Sequence, residues 1–421
     1  MGVSSALYSG VSGLNSNSQA MTVIGNNLAN TNTVGFKGAR TVFSNLLSAS
    51  ITGSGGKSQV GRGVGVSTVD NIYSQGTFET TESGLDVAVE GQGFFMLKQP
   101  GNNTVYYSRA GAFRFDENGY LVSPEGMRVQ GQPYDSAGAL IPGDPTDIFI
   151  SNAGLLKGRA TEAVVLNTNL DSGEKPITVA FDPADTSTYN YSSSTQIYDS
   201  LGNPHLLTTY FIKTNDNQWD WRWSTDVNGT VMQGAGGSLD FTTDGLLTDT
   251  AGGTVPATGP ITGAIGPIDW QNGTAPTNLT LTFNTTQFNS ASMVISQDQD
   301  GYAAGDLTGI SIDSNGAVVA SYSNGEQVKV SNLVLARFSN PNGLESTGSN
   351  TFIATGESGT PRVGLPGPEL GKVFTNSLEM SNVDMGSEFV RMITTQRGFQ
   401  ANSKIITTVD EMLTDLINLK R

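Results

Sequence analysis

The chain has 421 residues, of which 37% are hydrophobic and 52 are Gly. That is an ordinary globular balance, and the length suits roughly two to four domains, each with its own core. A formal net charge of −16 argues against phosphate-backbone partners such as nucleic acid. The lack of Cys removes disulfides, thiol nucleophiles and thiolate metal sites, and a single His, His205, leaves little for imidazole catalysis. Only 14% of residues are charged, against about 25% in typical soluble proteins, so much of the surface must be polar and uncharged.

No charged side chain occurs before Lys37. The leading segment lacks the positive start and apolar core of a secretory signal, and no run of 18 apolar residues suggests membrane insertion. Leu7, Val11, Leu14, Met21, Ile24 and Leu28 recur at helical spacing, Leu7, Leu14, Met21 and Leu28 every seventh. The spacing predicts an amphipathic helix over 1–30, about 40 Å long, whose other face is Ser, Asn, Gln and Gly. An uncharged polar face suits a helix surrounded by other helices or lining a channel. Residues 31–72, with Gly53-Ser-Gly-Gly and Gly61-Arg-Gly-Val-Gly, read as a linker, with 361–379 as its counterpart.

The middle of the chain shows period-two alternation with Asn-Gly turns at Asn118-Gly119, Asn228-Gly229 and Asn315-Gly316, as expected of antiparallel β-structure. Residues 73–144 and 292–360 read as two halves of one β-domain, into which a second, 145–291, is inserted. Within the insert, Gly234-Ala-Gly-Gly and Thr248 to Gly266 read as long surface loops. Trp219, Trp221 and Trp223 alternate with Asp220 and Arg222, which fits a sandwich core strand or, as an alternative, an aromatic platform for sugar rings.

Candidate sites for chemistry fail one by one. Gly61-x-Gly63-x-Gly65 and Gly91-Gln-Gly93 lack dinucleotide spacing. Asp298-Gln-Asp300-Gly301 and Asp313-Ser-Asn315-Gly316 resemble the start of calcium loops, but Leu307 and Tyr322 stand where a closing Glu is required. His205 follows a Gly-Asn-Pro turn and reads as a strand-edge residue. No catalytic residue, metal ligand or cofactor is expected.

The end of the chain mirrors its start. Ser381-Asn382-Val383-Asp384 supplies capping residues, after which Met385, Met392, Phe399, Ile406 and Leu413 recur every seven residues, with Phe389 and Ile417 beside them. A second strip runs through Ile405, Val409, Met412, Leu416 and Leu419. Two strips on a helix of about 54 Å require more than one packing partner, and a pairing of 380–421 with 1–30 would cover only part of them. The fold class is therefore mainly β with α-helical termini: two β-domains, one inserted in the other, plus a terminal coiled-coil domain.

Four motifs carry a family resemblance. Asn26-Asn-Leu-Ala-Asn30-Thr-Asn-Thr-Val-Gly35-Phe36-Lys37 is similar to the N-terminal signature of the bacterial flagellar rod and hook proteins. Gln75 to Gly93-Phe-Phe95 and Tyr107-Ser-Arg109-Ala-Gly111-Ala-Phe113 resemble their β-domain, and Ser381 to Asp384 with Gln396-Arg-Gly-Phe399-Gln-Ala-Asn402 their C-terminal helix. Length and Tyr198-Asp-Ser-Leu-Gly-Asn-Pro-His205 lie nearer the hook branch than the shorter rod branch. Gly398 departs from a good helix former, at a cost of roughly 1 kcal/mol unless it admits a neighbouring helix.

The resemblance implies a subunit exported without signal cleavage through the flagellar type III apparatus, polymerising helically outside the cell into a curved, torque-transmitting tube. Its implied partners are copies of itself and the rod, hook-cap and hook-filament junction proteins. The terminal helices would form the inner wall, with the residues of both helices named above as subunit interface. Phe43-Ser-Asn-Leu-Leu47 fits the Phe-x-x-x-apolar pattern proposed for export-gate docking. The alternatives are another axial component such as a distal rod protein, or a carbohydrate-binding adhesin using the Trp strand.

Overall fold

The computed structural model describes residues 2–46, 49–53, 56–135, 138–150, 154–249 and 256–418. The chain is mainly β-structure with a helix at each end, α1 over Gly2–Ala29 and α2 over Met385–Asn418. It divides into two compact units. A flanking unit takes Met1–Asn152, Ile310–Ala320 and Val328–Arg421, and a central unit takes Ala153–Gly309 with Ser321–Gln327.

In the flanking unit, segments from both halves of the chain interleave. Strand Phe94–Lys98 pairs with Val105–Ser108, Arg128–Pro133 and Leu335–Arg337, and the last of these pairs also with Arg362–Gly364. Shorter pairs join Val87–Glu90 to Lys372–Thr375 and Phe78–Thr80 to Ser377–Glu379. Edge-to-face contacts among Tyr73, Phe94, Tyr107, Phe338 and Phe352 fill a core there, at centroid distances of 4.7 to 6.0 Å.

Residues 31–72, expected as a linker, instead carry paired strands: Ala39–Asn45 runs antiparallel to Val64–Asn71, with a register shift between Val42 and Phe43. One of the glycines that suggested flexibility serves a close contact. Gly63, at φ +107, lies so close to Ser12 of α1 that a Cβ would overlap the hydroxyl. Segment 361–379 likewise contributes strands.

The central unit is a sandwich. Tyr191–Tyr198, Pro204–Asn215, Gln218–Val227, Thr230–Phe241 and Leu247–Thr248 form one sheet. Ile261–Ile268, Thr277–Phe288, Ala163–Asp171 and Met293–Gln299 form the other. Trp219, Trp221, Trp223, Phe211, Phe283 and Leu281 fill the space between them. The tryptophans are core, not a platform.

Two expectations fail here. Ala163–Asp171 and Thr277–Phe288 run parallel, which local alternation cannot reveal. Gly234-Ala-Gly-Gly, expected in a surface loop, lies within strand Thr230–Phe241. The indoles of Trp223 and Trp221 occupy the space where Cβ atoms of Gly234 and Gly236 would stand. Residues 261–266 of the other expected loop are also strand.

Candidate functional site

Three sequence-distant residues fix where the helices leave the β-structure. Lys37, just beyond α1, places its Nζ 2.6 Å from Glu379 Oε1 and donates to the Ser74 carbonyl at 2.8 Å. The other Glu379 oxygen accepts from Arg109 Nη1 at 3.4 Å, and Arg109 Nη2 donates to the Gly91 carbonyl at 2.6 Å. All three side chains are buried. Burial pushes the Lys37 ammonium below its usual range, and the charge of Glu379 pulls it back in part. Burial lowers Arg109 in the same way.

Asparagines complete the junction. Asn27 exchanges two hydrogen bonds with the Ala39 backbone, at 2.7 and 2.9 Å. Asn382 accepts from Gly38 N at 2.8 Å and donates to the Ile72 carbonyl at 2.6 Å. Gly35, at φ +69, sits against the Arg109–Ala110 backbone, where any side chain would collide. Asp384 caps α2 by accepting from Ser387 N at 2.7 Å.

The two helices pack antiparallel through small residues. Gly10 lies against Ile406, Gly13 against Asn402, and Asn17 against Gly398. The contact is reciprocal: the Asn17 amide donates to the Gly13 carbonyl at 2.7 Å, and Asn402 to the Gly398 carbonyl at 2.8 Å. Each asparagine, folded back on its own helix, fills the space above the glycine of the other. Gly398 thus admits Asn17, which explains its presence in a helix interior.

Along α1 the buried positions are Gly10, Gly13, Ser16, Ala20, Ile24 and Asn27, spaced by three or four. Of the large residues expected on its contact face, Ile24 is buried, Leu7, Leu14, Met21 and Leu28 are half-buried, and Val11 is exposed. On α2, Val409 is buried and Met392, Ile406 and Leu413 are half-buried. Met385, Phe389, Phe399, Ile405, Met412 and Ile417 remain 41% to 66% exposed. The side chain of Leu416, and Leu419 altogether, lie outside the described residues. Sequence reasoning missed Val390 and Ile393, both exposed on α2; the four-residue spacing Met385, Phe389, Ile393 was the available signal. Phe43 is exposed on strand Ala39–Asn45, and Leu47 lies outside the described residues.

In the central unit, His205 stacks on Trp270 at 3.7 Å and contacts Asp199 at 3.1 Å. Burial disfavours the Asp199 carboxylate. Hydrogen bonds from Asn203, His205 and Asn272 outweigh that and hold it well below the usual range. Asp199 also accepts from the backbone of Leu201 and Asn203, so this group shapes the 198–205 turn. Asp300 and Asp313 likewise bind backbone amides, at Glu162 and Ala163 and at Asn315 and Ala317.

Family models match along the chain: flagellar basal body rod protein over residues 7–37, flagellar hook protein FlgE/F/G D1 domain over 88–158, flagellar basal body protein FlaE D2 domain over 169–302, and flagellar basal body rod FlgEFG protein C-terminal over 375–419. The flagellar hook protein FlgE of Borreliella burgdorferi is 37% identical across 99% of both chains. That of Salmonella typhimurium is 37% identical over 97% of this chain and 98% of its own. The chain belongs to the flagellar hook protein family. This is a family of structural proteins, and the full-length relatives favour neither a rod protein nor an adhesin. The fold of this hook-family chain resembles the crystal structure of Helicobacter pylori flagellar hook protein FlgE2, with a TM-score of 0.51 and 16% identity over 72% of this chain and 100% of that one. Residues of the hook-family motifs meet at the junction: Lys37 and Arg109 hold Glu379, Asn382 binds the Ile72 carbonyl, and Asn402 with Gly398 forms part of the helix contact, while Gln75 and Gly91 brace the β-structure around Arg109.

Proposed function

We propose that this chain is the structural subunit of a flagellar hook, assembling with copies of itself into a helical, curved tube that passes motor torque to the filament. The observation that carries the reading is α2: pairing with α1 leaves six of the predicted apolar side chains exposed, from Met385 at its start to Ile417 near its end. They lie on more than one side of the helix, and rows of large apolar side chains left exposed in this way are surface for more than one partner to cover. In a head-to-tail assembly that does not close, every copy buries the same face against the same neighbour. α1, without a charged residue, suits a place in the inner wall; the split β-structure suits the middle layer and the central sandwich the outside. The low charge of the chain supports outer contacts that slide during rotation, since fixed ion pairs would hold one register.

The subunit reaches this place by flagellar type III export without signal cleavage, with Phe43 as part of the gate-docking element, and meets the rod, the hook cap and the hook-filament junction proteins at its ends. The test is negative-stain imaging of polymer from the purified full-length chain. Curved tubes are expected, whereas straight rods of fixed length point to a rod component. A chain lacking residues 383–421 should stay monomeric, and its polymerisation would overturn the role given to α2.

A further inference from the structure

A cleft of about 410 Å³ in the flanking unit gathers three of the chain's 22 basic residues, Arg109, Arg337 and Arg362. Its floor is aromatic, with Phe94 and Phe338 buried and 6.0 Å apart between centroids. Arg337 and Arg362 stand directly opposite each other on antiparallel strands. Like charges in that position repel and destabilise a sheet. Among the described residues neither guanidinium has an acidic side chain within ion-pair distance; Arg337 donates to the Glu369 carbonyl at 3.1 Å, which leaves its charge unbalanced. Arg109 engages Glu379 with one nitrogen, but its buried Nε has no hydrogen-bond partner. A chain of net charge −16 thus concentrates uncompensated positive charge in one concave place.

We propose that this cleft binds a carboxylate side chain of a neighbouring copy of this chain in the polymer. The proposal rests on the reading of the chain as a self-assembling hook subunit. Guanidinium forks match carboxylate oxygens in pairs. The aromatic floor suits the methylenes of an Asp or Glu side chain. Each copy carries 38 acidic residues, so an adjacent subunit is an abundant source. The Arg337–Arg362 repulsion is then relieved on assembly and not before, so the contact favours the polymer over the monomer.

The test uses the full-length chain carrying Arg337→Glu with Arg362→Glu. Its critical concentration for polymerisation, read by light scattering, should rise about tenfold or more, the scale of losing a close charge contact across an interface. The double Lys variant, which keeps the charge and loses the fork, should fall between wild type and the Glu variant. The monomer's thermal midpoint should hold or rise in the double Gln variant, Arg337→Gln with Arg362→Gln, because the like-charge pair is gone there; a purely structural role would lower it. Sodium glutarate should raise the wild-type critical concentration above that in sodium chloride of equal ionic strength, and should have no such effect on the double Gln variant. Unchanged polymerisation of the Glu variant overturns the proposal and leaves the hook reading intact. Glutarate binding together with unchanged polymerisation makes the cleft a small-anion site and overturns it equally. If the wild-type chain forms no polymer under any condition, both readings fall.

Discussion

The central sandwich and the terminal helices treat apolar surface in opposite ways. In the sandwich, Trp219, Trp221 and Trp223 are buried over facing glycines and Phe283, and every apolar position on that face of strand Gln218–Val227 finds a partner within the same chain. In the helix pair the closest contacts are Gly10, Gly13, Asn17, Gly398 and Asn402, while Met385, Phe389 and Met412 stay exposed. Burying a Phe or Met side chain is worth about 1.5–3 kcal/mol. The sandwich has taken that gain within the monomer, whereas these helix side chains have not, and in the proposed assembly they would take it against a neighbouring copy. A region can therefore be well ordered and still energetically unfinished.

Two substitutions of similar size separate the regions. Trp219→Ala removes a buried indole and its 3.0 Å hydrogen bond to Gln287, and should cost the central unit about 3–5 kcal/mol. All four tryptophans lie in that unit's core, so fluorescence-detected urea unfolding reads it directly. Glu379→Gln leaves Lys37 and Arg109 buried without their counter-ion and should cost the flanking unit about 3–5 kcal/mol, seen in helical circular dichroism, while the tryptophan transition holds. If Glu379→Gln moves the fluorescence transition by the same amount, the two regions fold as one and the contrast drawn above fails.

The sequence makes some of this legible and hides the rest for physical reasons. Asn228-Gly229 is a local signal, and both residues adopt the positive φ that their hairpin requires. Helix extents follow from repeating apolar spacing. By contrast Lys37 and Glu379 are 342 positions apart, and nothing in either neighbourhood announces the other. The parallel pairing of Ala163–Asp171 with Thr277–Phe288 is equally non-local. Large side chains at intervals of seven drew attention to the flanks of the helix contact, whereas its centre is Gly10, Gly13 and Asn17. In Gly234–Gly237, as in Gly63, glycine marked close approach and not a loop.

The reciprocal asparagine contact yields a sharper comparison between two glycines. A Cβ at Gly13 would stand 2.5 Å from Asn402 Oδ1, whereas at Gly398 it would stand 3.1 Å from Asn17 Oδ1. For Gly13→Ala, crowding of about 1–3 kcal/mol exceeds the roughly 1 kcal/mol gained in helix propensity, so the helix pair should melt earlier. For Gly398→Ala, propensity should offset the milder crowding and leave the melting temperature near wild type. Equal losses at both sites would show that the interlock does not set the helix spacing.

Acid separates the regions more gently. The Asp199 carboxyl is held below its unfolded value of 3.8, so its charge stabilises the central unit above that pH. This contribution is lost as pH falls below about 3.8 toward the folded value, because the unfolded chain takes up the proton first. Asp199→Asn should flatten that limb of the fluorescence-detected stability curve, and an unchanged slope would mean that other carboxylates govern it. The hydrogen-bonded turn over 198–205 should also lose part of its acceptor capacity at neutral pH, lowering the plateau.

The smallest expected effect on the monomer falls on the residue that the comparison makes most consequential. Phe389 projects from α2 with 49% of its surface exposed. Surface substitutions that touch no packed neighbour change stability by about 0.5 kcal/mol or less, so Phe389→Ser should leave both unfolding transitions in place. In the proposed tube the same change would remove an aromatic side chain from every subunit contact. Sedimentation should therefore find a normally folded chain that stays soluble at concentrations where the wild type pellets as polymer. If instead Phe389→Ser unfolds the monomer, the exposed row already contributes to the single chain, and the distinction between a finished sandwich and an unfinished helix pair is wrong at its most exposed point.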